Sequence, residues 1–159
     1  MSHRRSLSKR LLLSLVACLF FLQMETAAAG DLFLCRNVLI EEPINLKQIS
    51  ALKSKPVNRF RPGDRITAVY MLPMTGKEKR IEFKWMRHLG PSGMMQHDRY
   101  VHAVNHDVPG ETYIAYAWMM VDPSFFDGIL GSKYSGDWSL DVFVDEKKTD
   151  EISFALTRD

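Results

Sequence analysis

The sequence predicts an all-β protein, an antiparallel β-sandwich of about seven strands that follows an N-terminal signal helix. Apolar and polar residues alternate along several segments after residue 65, which is typical of half-buried strands. Turn residues, mainly Gly, Pro and Asp, separate these segments. No segment after residue 29 has the long 3.6-residue periodicity of a core helix. Short strands joined by turns favour two packed sheets.

The first 29 residues have the pattern of a secretory signal peptide. A basic head at residues 4–10 precedes an apolar run from Leu11 to Leu22, and the small residues Ala27 and Ala29 fit the cleavage rule. The apolar run is shorter than the roughly 20 residues that a membrane-spanning helix needs. We therefore expect cleavage after Ala29 and a mature protein, residues 30–159, that is periplasmic or secreted.

Two other export routes are compatible with this segment. The residues that end at Cys18 resemble a lipobox, which would attach the protein to a membrane as a lipoprotein through Cys18. The apolar run continues to Leu22, whereas lipoproteins usually become polar after the cysteine. Arg4 and Arg5 also resemble a twin-arginine motif, although the run after them is more apolar than is typical of that route.

The charge balance excludes one class of partner. The chain has 21 Lys and Arg against 19 Asp and Glu, but four of the basic residues and one acidic residue lie in the signal peptide. The mature chain therefore has a formal charge of −1, with both signs interspersed. Electrostatics give no reason to expect a nucleic-acid partner.

The mature chain contains one cysteine. Cys18 lies in the signal peptide, so Cys35 has no partner for an internal disulfide after cleavage. Its apolar neighbours at residues 32–34 favour a buried position, because free cysteine is among the most buried residue types. The alternative is a thiol that pairs with another molecule.

The elements follow in chain order. Alternation predicts strands at residues 65–72, 79–87, 112–121, 138–144 and 152–156, with weaker ones at 32–37 and 99–104. Residues 45–53 form either a short helix or an irregular edge. The turn at 75–78 predicts a hairpin of the first two strong strands, and residues 145–148 predict a C-terminal hairpin. Residues 112–121 are apolar on both faces, which predicts a strand at the sheet centre or under a loop.

Three segments carry a resemblance to a known fold family. These are residues 60–64 (Phe-Arg-Pro-Gly-Asp) before a strand, an apolar strand that contains Trp85, and residues 136–142 (Gly-Asp-Trp-Ser-Leu-Asp-Val), followed by a charged turn and Phe154. Together they resemble the immunoglobulin-like domains of bacterial secreted proteins, over residues 60–157. The resemblance implies an immunoglobulin-like sandwich at 60–159 that forms one domain with a strand and irregular lead-in at 30–59. It implies almost nothing about activity, because such sandwiches have many functions.

A histidine-rich segment is a candidate metal site. The segment from His88 to His106 contains the following potential ligands: His88, Met94, Met95, His97, His102 and His106. Imidazole and thioether groups suit copper, and imidazole with carboxylate suits zinc. In a straight strand His102 and His106 would lie about 13 Å apart, so a shared ion needs a bend in the chain.

Aromatic residues form a candidate contact surface. Its members are Trp118 on a strand and Phe125, Phe126 and Tyr134 in the loop that follows. Exposed rings can stack on sugars or contact the apolar groups of a partner. Two alternatives exist: rings that alternate along a strand fill the space between the sheets, and the apolar residues of the loop cap the open end of the sandwich.

Motifs for catalysis are missing from the sequence. It contains no Gly-x-Ser-x-Gly, no His-Glu-x-x-His and no phosphate-binding glycine loop. We therefore expect a non-catalytic binding or accessory protein of the bacterial envelope, without a cofactor, which contacts a protein or glycan partner through the loops of the sandwich. The alternative is a periplasmic copper- or zinc-binding protein that uses the His88 to His106 segment.

Overall fold

The computed structural model describes residues 30–41, 44–74, 79–104, 111–126 and 135–158, and only the backbone of residues 102–104 and 125. The predicted signal helix lies outside these residues. The strands are β1 (Asp31–Arg36), β2 (Arg59–Phe60), β3 (Arg65–Pro73), β4 (Lys79–His88), β5 (Met94–Val104), β6 (Thr112–Met120), β7 (Gly136–Val144) and β8 (Lys147–Leu156). One helix, α1 (Leu46–Lys53), and two short 3₁₀ turns, Gly90–Ser92 and Pro123–Phe126, complete the described elements.

The strands form two sheets. One has three strands in the order β1-β3-β6, and the other has five in the order β2-β8-β7-β4-β5. All pairs are antiparallel except the two-residue pair of β2 with β8, which is parallel. The all-β sandwich predicted from the sequence is confirmed.

The main core lies between the two sheets. The five-stranded sheet contributes large rings to it, namely Phe60, Phe83, Trp85, Trp138 and Phe154. The three-stranded sheet contributes small side chains among its larger ones, including Ala68 and Ala117, which are directly opposite each other on β3 and β6. Small residues on one sheet give the rings of the other sheet room to pack at the density of a protein interior.

Helix α1 covers the outer face of the three-stranded sheet. The helix begins where the Asn45 side chain accepts a hydrogen bond from the backbone of Lys47 at 2.9 Å. Its buried residue, Ile49, packs in a second apolar cluster with Phe33, Cys35, Val69 and Ile114. Residues 45–53 are thus a helix rather than an irregular edge. Cys35 is 3% exposed, as its apolar setting predicted, and burial raises the pKa of its thiol.

The two predicted hairpins have different outcomes. The C-terminal hairpin is confirmed: β7 and β8 pair along their length, and Asp145 and Glu146 have φ values of 49° and 68°, as in a tight type I′ turn. The hairpin predicted for residues 65–87 is wrong, because β3 and β4 belong to different sheets. Both strands have an apolar face, but these faces meet across the core instead of lying side by side.

The central position predicted for residues 112–121 is also wrong, while the alternative position under a loop stays a prediction, because residues 105–110 and 127–134 lie outside the described ones. Strand β6 is at the edge of its sheet and pairs only with β3 among the described strands. Its inner face contributes Ala117 and Met119 to the main core, and Ile114 on its outer face packs in the cluster under α1. On the rest of the outer face Tyr116 is half-buried, and Trp118 and Met120 are exposed, so β6 is apolar on both sides without being central. In the described parts of the chain, no helix is long and apolar enough to cross a bilayer.

Candidate functional site

The C-terminal half of β6 carries a patch of exposed and half-buried side chains, which we call the β6 face. Alternate residues of a strand point to the same side, so Tyr116, Trp118 and Met120 share the outer surface of the three-stranded sheet. Trp118 is 41% exposed and Met120 is 43% exposed. Arg65 of β3, opposite Met120, completes the patch.

The indole of Trp118 is held by a charged neighbour. The guanidinium carbon of Arg65 lies over the ring at 4.9 Å from its centroid, within the range of a cation–π contact. This contact restricts the ring while leaving much of it in contact with water. Tryptophan and arginine are the two residue types that most often dominate the energetics of protein interfaces. The β6 face therefore has the composition of a binding surface.

The loop residues predicted for this surface have different positions. Phe126 is 3% exposed and packs in the main core, and its backbone carbonyl accepts a hydrogen bond from Arg158. Of the two predictions for this loop, the burial of the Phe126 ring agrees with a role in the core rather than with contact to a partner. The side chain of Phe125 and all of Tyr134 lie outside the described residues, so their role stays a prediction.

The histidine segment forms an edge strand with a bulge. Strand β5 pairs with β4, and the register shifts so that His97 is the extra residue. The ring of His97 packs edge-on against Trp138 on the inner face, with centroids 5.2 Å apart, and burial lowers its pKa. His88 lies on the outer face of the same sheet, where its Nε2 is 3.1 Å from the hydroxyl of Ser139. These two imidazoles are therefore on opposite faces.

The metal site predicted for this segment stays a prediction. Met94 and Met95 are exposed on β5, whereas the side chain of His102 and all of His106 lie outside the described residues. Within the residues that are described, no three His, Cys, Asp or Glu side chains come close enough to hold a metal ion. Ser139, the hydroxyl next to His88, is fully buried and so is inaccessible to a substrate.

Sequence reasoning missed a charged network on the outer face of the five-stranded sheet. Glu82 is 7% exposed, and its Oε1 lies 2.6 Å from Nε of Arg99 and 3.3 Å from Nζ of Lys84. The Lys84 ammonium lies 4.0 Å from the centroid of the Phe143 ring. The alternation of charges in β4 predicted a solvent-facing surface, but the burial of Glu82 depends on its neighbours in β5 and β7.

The Glu82 network predicts a loss of stability in acid. Burial opposes ionisation of Glu82, but the hydrogen bonds and charges of Arg99 and Lys84 outweigh it and lower its pKa from 4.5. The ion pair therefore contributes stability above pH 4.5, which is lost as the pH falls through the lower pKa of the folded state. Thermal unfolding followed between pH 6 and pH 3 should show this loss, and Glu82→Gln should reduce it. An equally steep acid dependence in Glu82→Gln would contradict the prediction.

Comparisons with known proteins yield only distant likenesses. No protein-family model matches the chain, and neither does any curated protein. Solved structures that resemble it include the alkylpurine DNA glycosylase AlkC of Pseudomonas fluorescens bound to DNA (13% identity, TM-score 0.41, 64% of this chain). An immunoglobulin-like protein of Pseudomonas aeruginosa has 16% identity, a TM-score of 0.40 and 82% coverage of this chain. A mutant β-glucosidase of Listeria innocua in complex with laminaribiose has 8% identity, a TM-score of 0.41 and 80% coverage.

Two of these three structures are much longer than the chain, and one is of similar length. The chain spans 28% of the glycosylase and 16% of the β-glucosidase, but 99% of the immunoglobulin-like protein. The resemblance of this chain to immunoglobulin-like proteins is one of fold and assigns no activity to it.

Proposed function

We propose that the protein is an exported, non-catalytic binding module of the bacterial envelope that contacts a protein or glycan partner through the β6 face. The observation that carries this proposal is the exposed Trp118 ring with Arg65 stacked over it. A large ring that keeps 41% of its surface in water is unusual for a residue type that is mostly buried. Burying this ring against a partner would remove its apolar surface from water, which favours binding.

The position of the β6 face supports its role in contact. It lies on the edge strand of the three-stranded sheet as far as the chain is described, beyond the part that α1 covers. Strand β6 also leads into residues 123–134, which contain the predicted contact residues Phe125 and Tyr134. Export rests on the composition of residues 1–29.

Site-specific photo-crosslinking in living cells tests this proposal. A photoreactive phenylalanine analogue replaces Trp118 in one variant and Val101 in a control variant. Val101 is 45% exposed, apolar and located on β5 of the other sheet, so it matches Trp118 in exposure. We expect a discrete crosslinked product from position 118 and none from position 101, and mass spectrometry of the product distinguishes a protein from a glycan partner. Equal products from both positions, or none from position 118, would overturn the proposal.

A further inference from the structure

Gly30 occupies a small polar pocket that connects the two sheets. Its backbone nitrogen lies 3.2 Å from the hydroxyl of Tyr70 on β3 and 3.3 Å from a carboxylate oxygen of Asp150 on β8. The Tyr70 hydroxyl donates to the same carboxylate oxygen at 2.7 Å and lies 3.2 Å from the hydroxyl of Thr149. One nitrogen thus contacts a group from each sheet.

The pocket accepts only glycine at this position. A Cβ atom on residue 30 would lie 2.3 Å from the Cε2 and Cζ atoms of Tyr70. The Tyr70 ring is fully buried in the main core, so it has no room to turn aside. Gly30 is also the residue that follows the predicted cleavage site after Ala29. Two independent observations, a signal pattern in the sequence and a close contact in the fold, therefore meet at the same residue.

We propose that the pocket of Tyr70 and Asp150 binds the α-ammonium group of Gly30 after a signal peptidase has removed residues 1–29. In this step, water hydrolyses the peptide bond between Ala29 and Gly30. The water oxygen bonds to the carbonyl carbon of Ala29, which leaves as a carboxylate, and the Gly30 nitrogen becomes an ammonium group with three N–H donors. The hydrogen bond from a neutral amide to the Asp150 carboxylate becomes an ion pair, in which the donor as well as the acceptor is charged, and such bonds are shorter and stronger.

The surrounding charges favour a cation at this point. Among the described residues, no Lys or Arg forms an ion pair with Asp150. The neighbouring Asp31 is already paired with Lys53 of α1 at 2.6 Å. Burial and the nearby carboxylate raise the pKa of Tyr70 to about 12, so its hydroxyl stays neutral at physiological pH. The pocket therefore contains one carboxylate whose charge the ammonium would neutralise.

The pKa of the Gly30 amine provides the test. The full chain is expressed in a Gram-negative host with ¹⁵N-glycine, the processed protein is purified from the periplasm, and its N-terminus is determined by mass spectrometry. We expect a chain that starts at Gly30 and an amine pKa, followed by NMR, above the ordinary value of about 7.7–8.0. A group with a raised pKa stabilises the fold below its ordinary pKa and loses this effect as the pH rises through the raised value.

Two variants distinguish the effect of the pocket on the amine pKa from a general effect of negative charge. Asp150→Asn should return the amine pKa to its ordinary range, whereas Glu151→Gln, on the outer face of the same strand, should leave it raised. If Asp150→Asn does not fold, the amine pKa values of the wild type and of Glu151→Gln test the proposal, and both should be raised. An ordinary pKa in the wild type, an equal change in both variants, or an N-terminus other than Gly30, such as an acylated Cys18, would overturn the proposal. None of these measurements involves the β6 face, so they are independent of the proposed binding function.

Discussion

Replacement of Trp85 by alanine is expected to lower the free energy of unfolding by about 3–5 kcal/mol, because it removes a large ring from a closed core. Trp85 is fully buried, and its ring packs edge-on against Phe154 with centroids 5.8 Å apart. Phe154 in turn packs against Phe60 and Trp138, so these rings connect four strands of the five-stranded sheet. The three-stranded sheet packs against these rings, so its side chains can only partly fill the cavity that the substitution leaves. Such a loss is a large fraction of the stability of an ordinary domain.

A second variant tests the cause of this effect. The indole Nε1 of Trp85 is buried and has no hydrogen-bond acceptor among the described residues. Trp85→Phe removes this unsatisfied donor together with part of the ring, so it should cost clearly less than Trp85→Ala. Urea unfolding followed by circular dichroism measures both changes. Equal losses in the two variants, or a loss below about 1 kcal/mol for Trp85→Ala, would show that the aromatic cluster is not the centre of the core.

The sequence predicts those parts of the fold that depend on local patterns. The β7–β8 hairpin is an example, because alternation on both strands and a charged turn between them lie within the 21 consecutive residues Gly136–Leu156. Sheet membership is different. Strands β3 and β4 have the alternation of a hairpin, but alternation alone does not show that the two strands belong to different sheets and that their apolar faces meet across the core. The same limit applies to β6, whose apolar outer face is partly covered by α1 and partly exposed.

The candidate sites also combine features that local sequence patterns predict with features that only the fold reveals. Residue type and position predict Trp118 as a contact residue, but only the fold shows that its ring lies on the outer face of the sheet, outside both apolar clusters. The bulge that turns His97 toward Trp138 depends on pairing with β4, which residue spacing does not reveal. The pocket at Gly30 joins residues that are 40 and 120 positions apart in the chain. The signal pattern identified Gly30 as a new N-terminus, but only the fold shows what its nitrogen contacts.

Replacement of Trp118 by alanine is expected to weaken partner binding about 30-fold, which corresponds to about 2 kcal/mol and is typical of an interface hot spot. Because the ring lies outside both apolar clusters, the same change should alter the free energy of unfolding by less than about 1 kcal/mol. Binding of the partner identified by crosslinking is measured by titration calorimetry with the purified variant. Val101→Ala is the matched control, since Val101 is an exposed apolar residue of the other sheet.

Arg65 should act on binding through Trp118. Its guanidinium lies over the indole at 4.9 Å, so it restricts the ring before the partner arrives and reduces the entropy that binding costs. Arg65→Ala should therefore weaken binding less than Trp118→Ala does, and the double variant should bind no more weakly than Trp118→Ala alone. Fully additive losses would instead mean that Arg65 contacts the partner independently. Unchanged affinity in Trp118→Ala would remove the β6 face from the interface, because no other change in this series deletes so much of its exposed apolar surface.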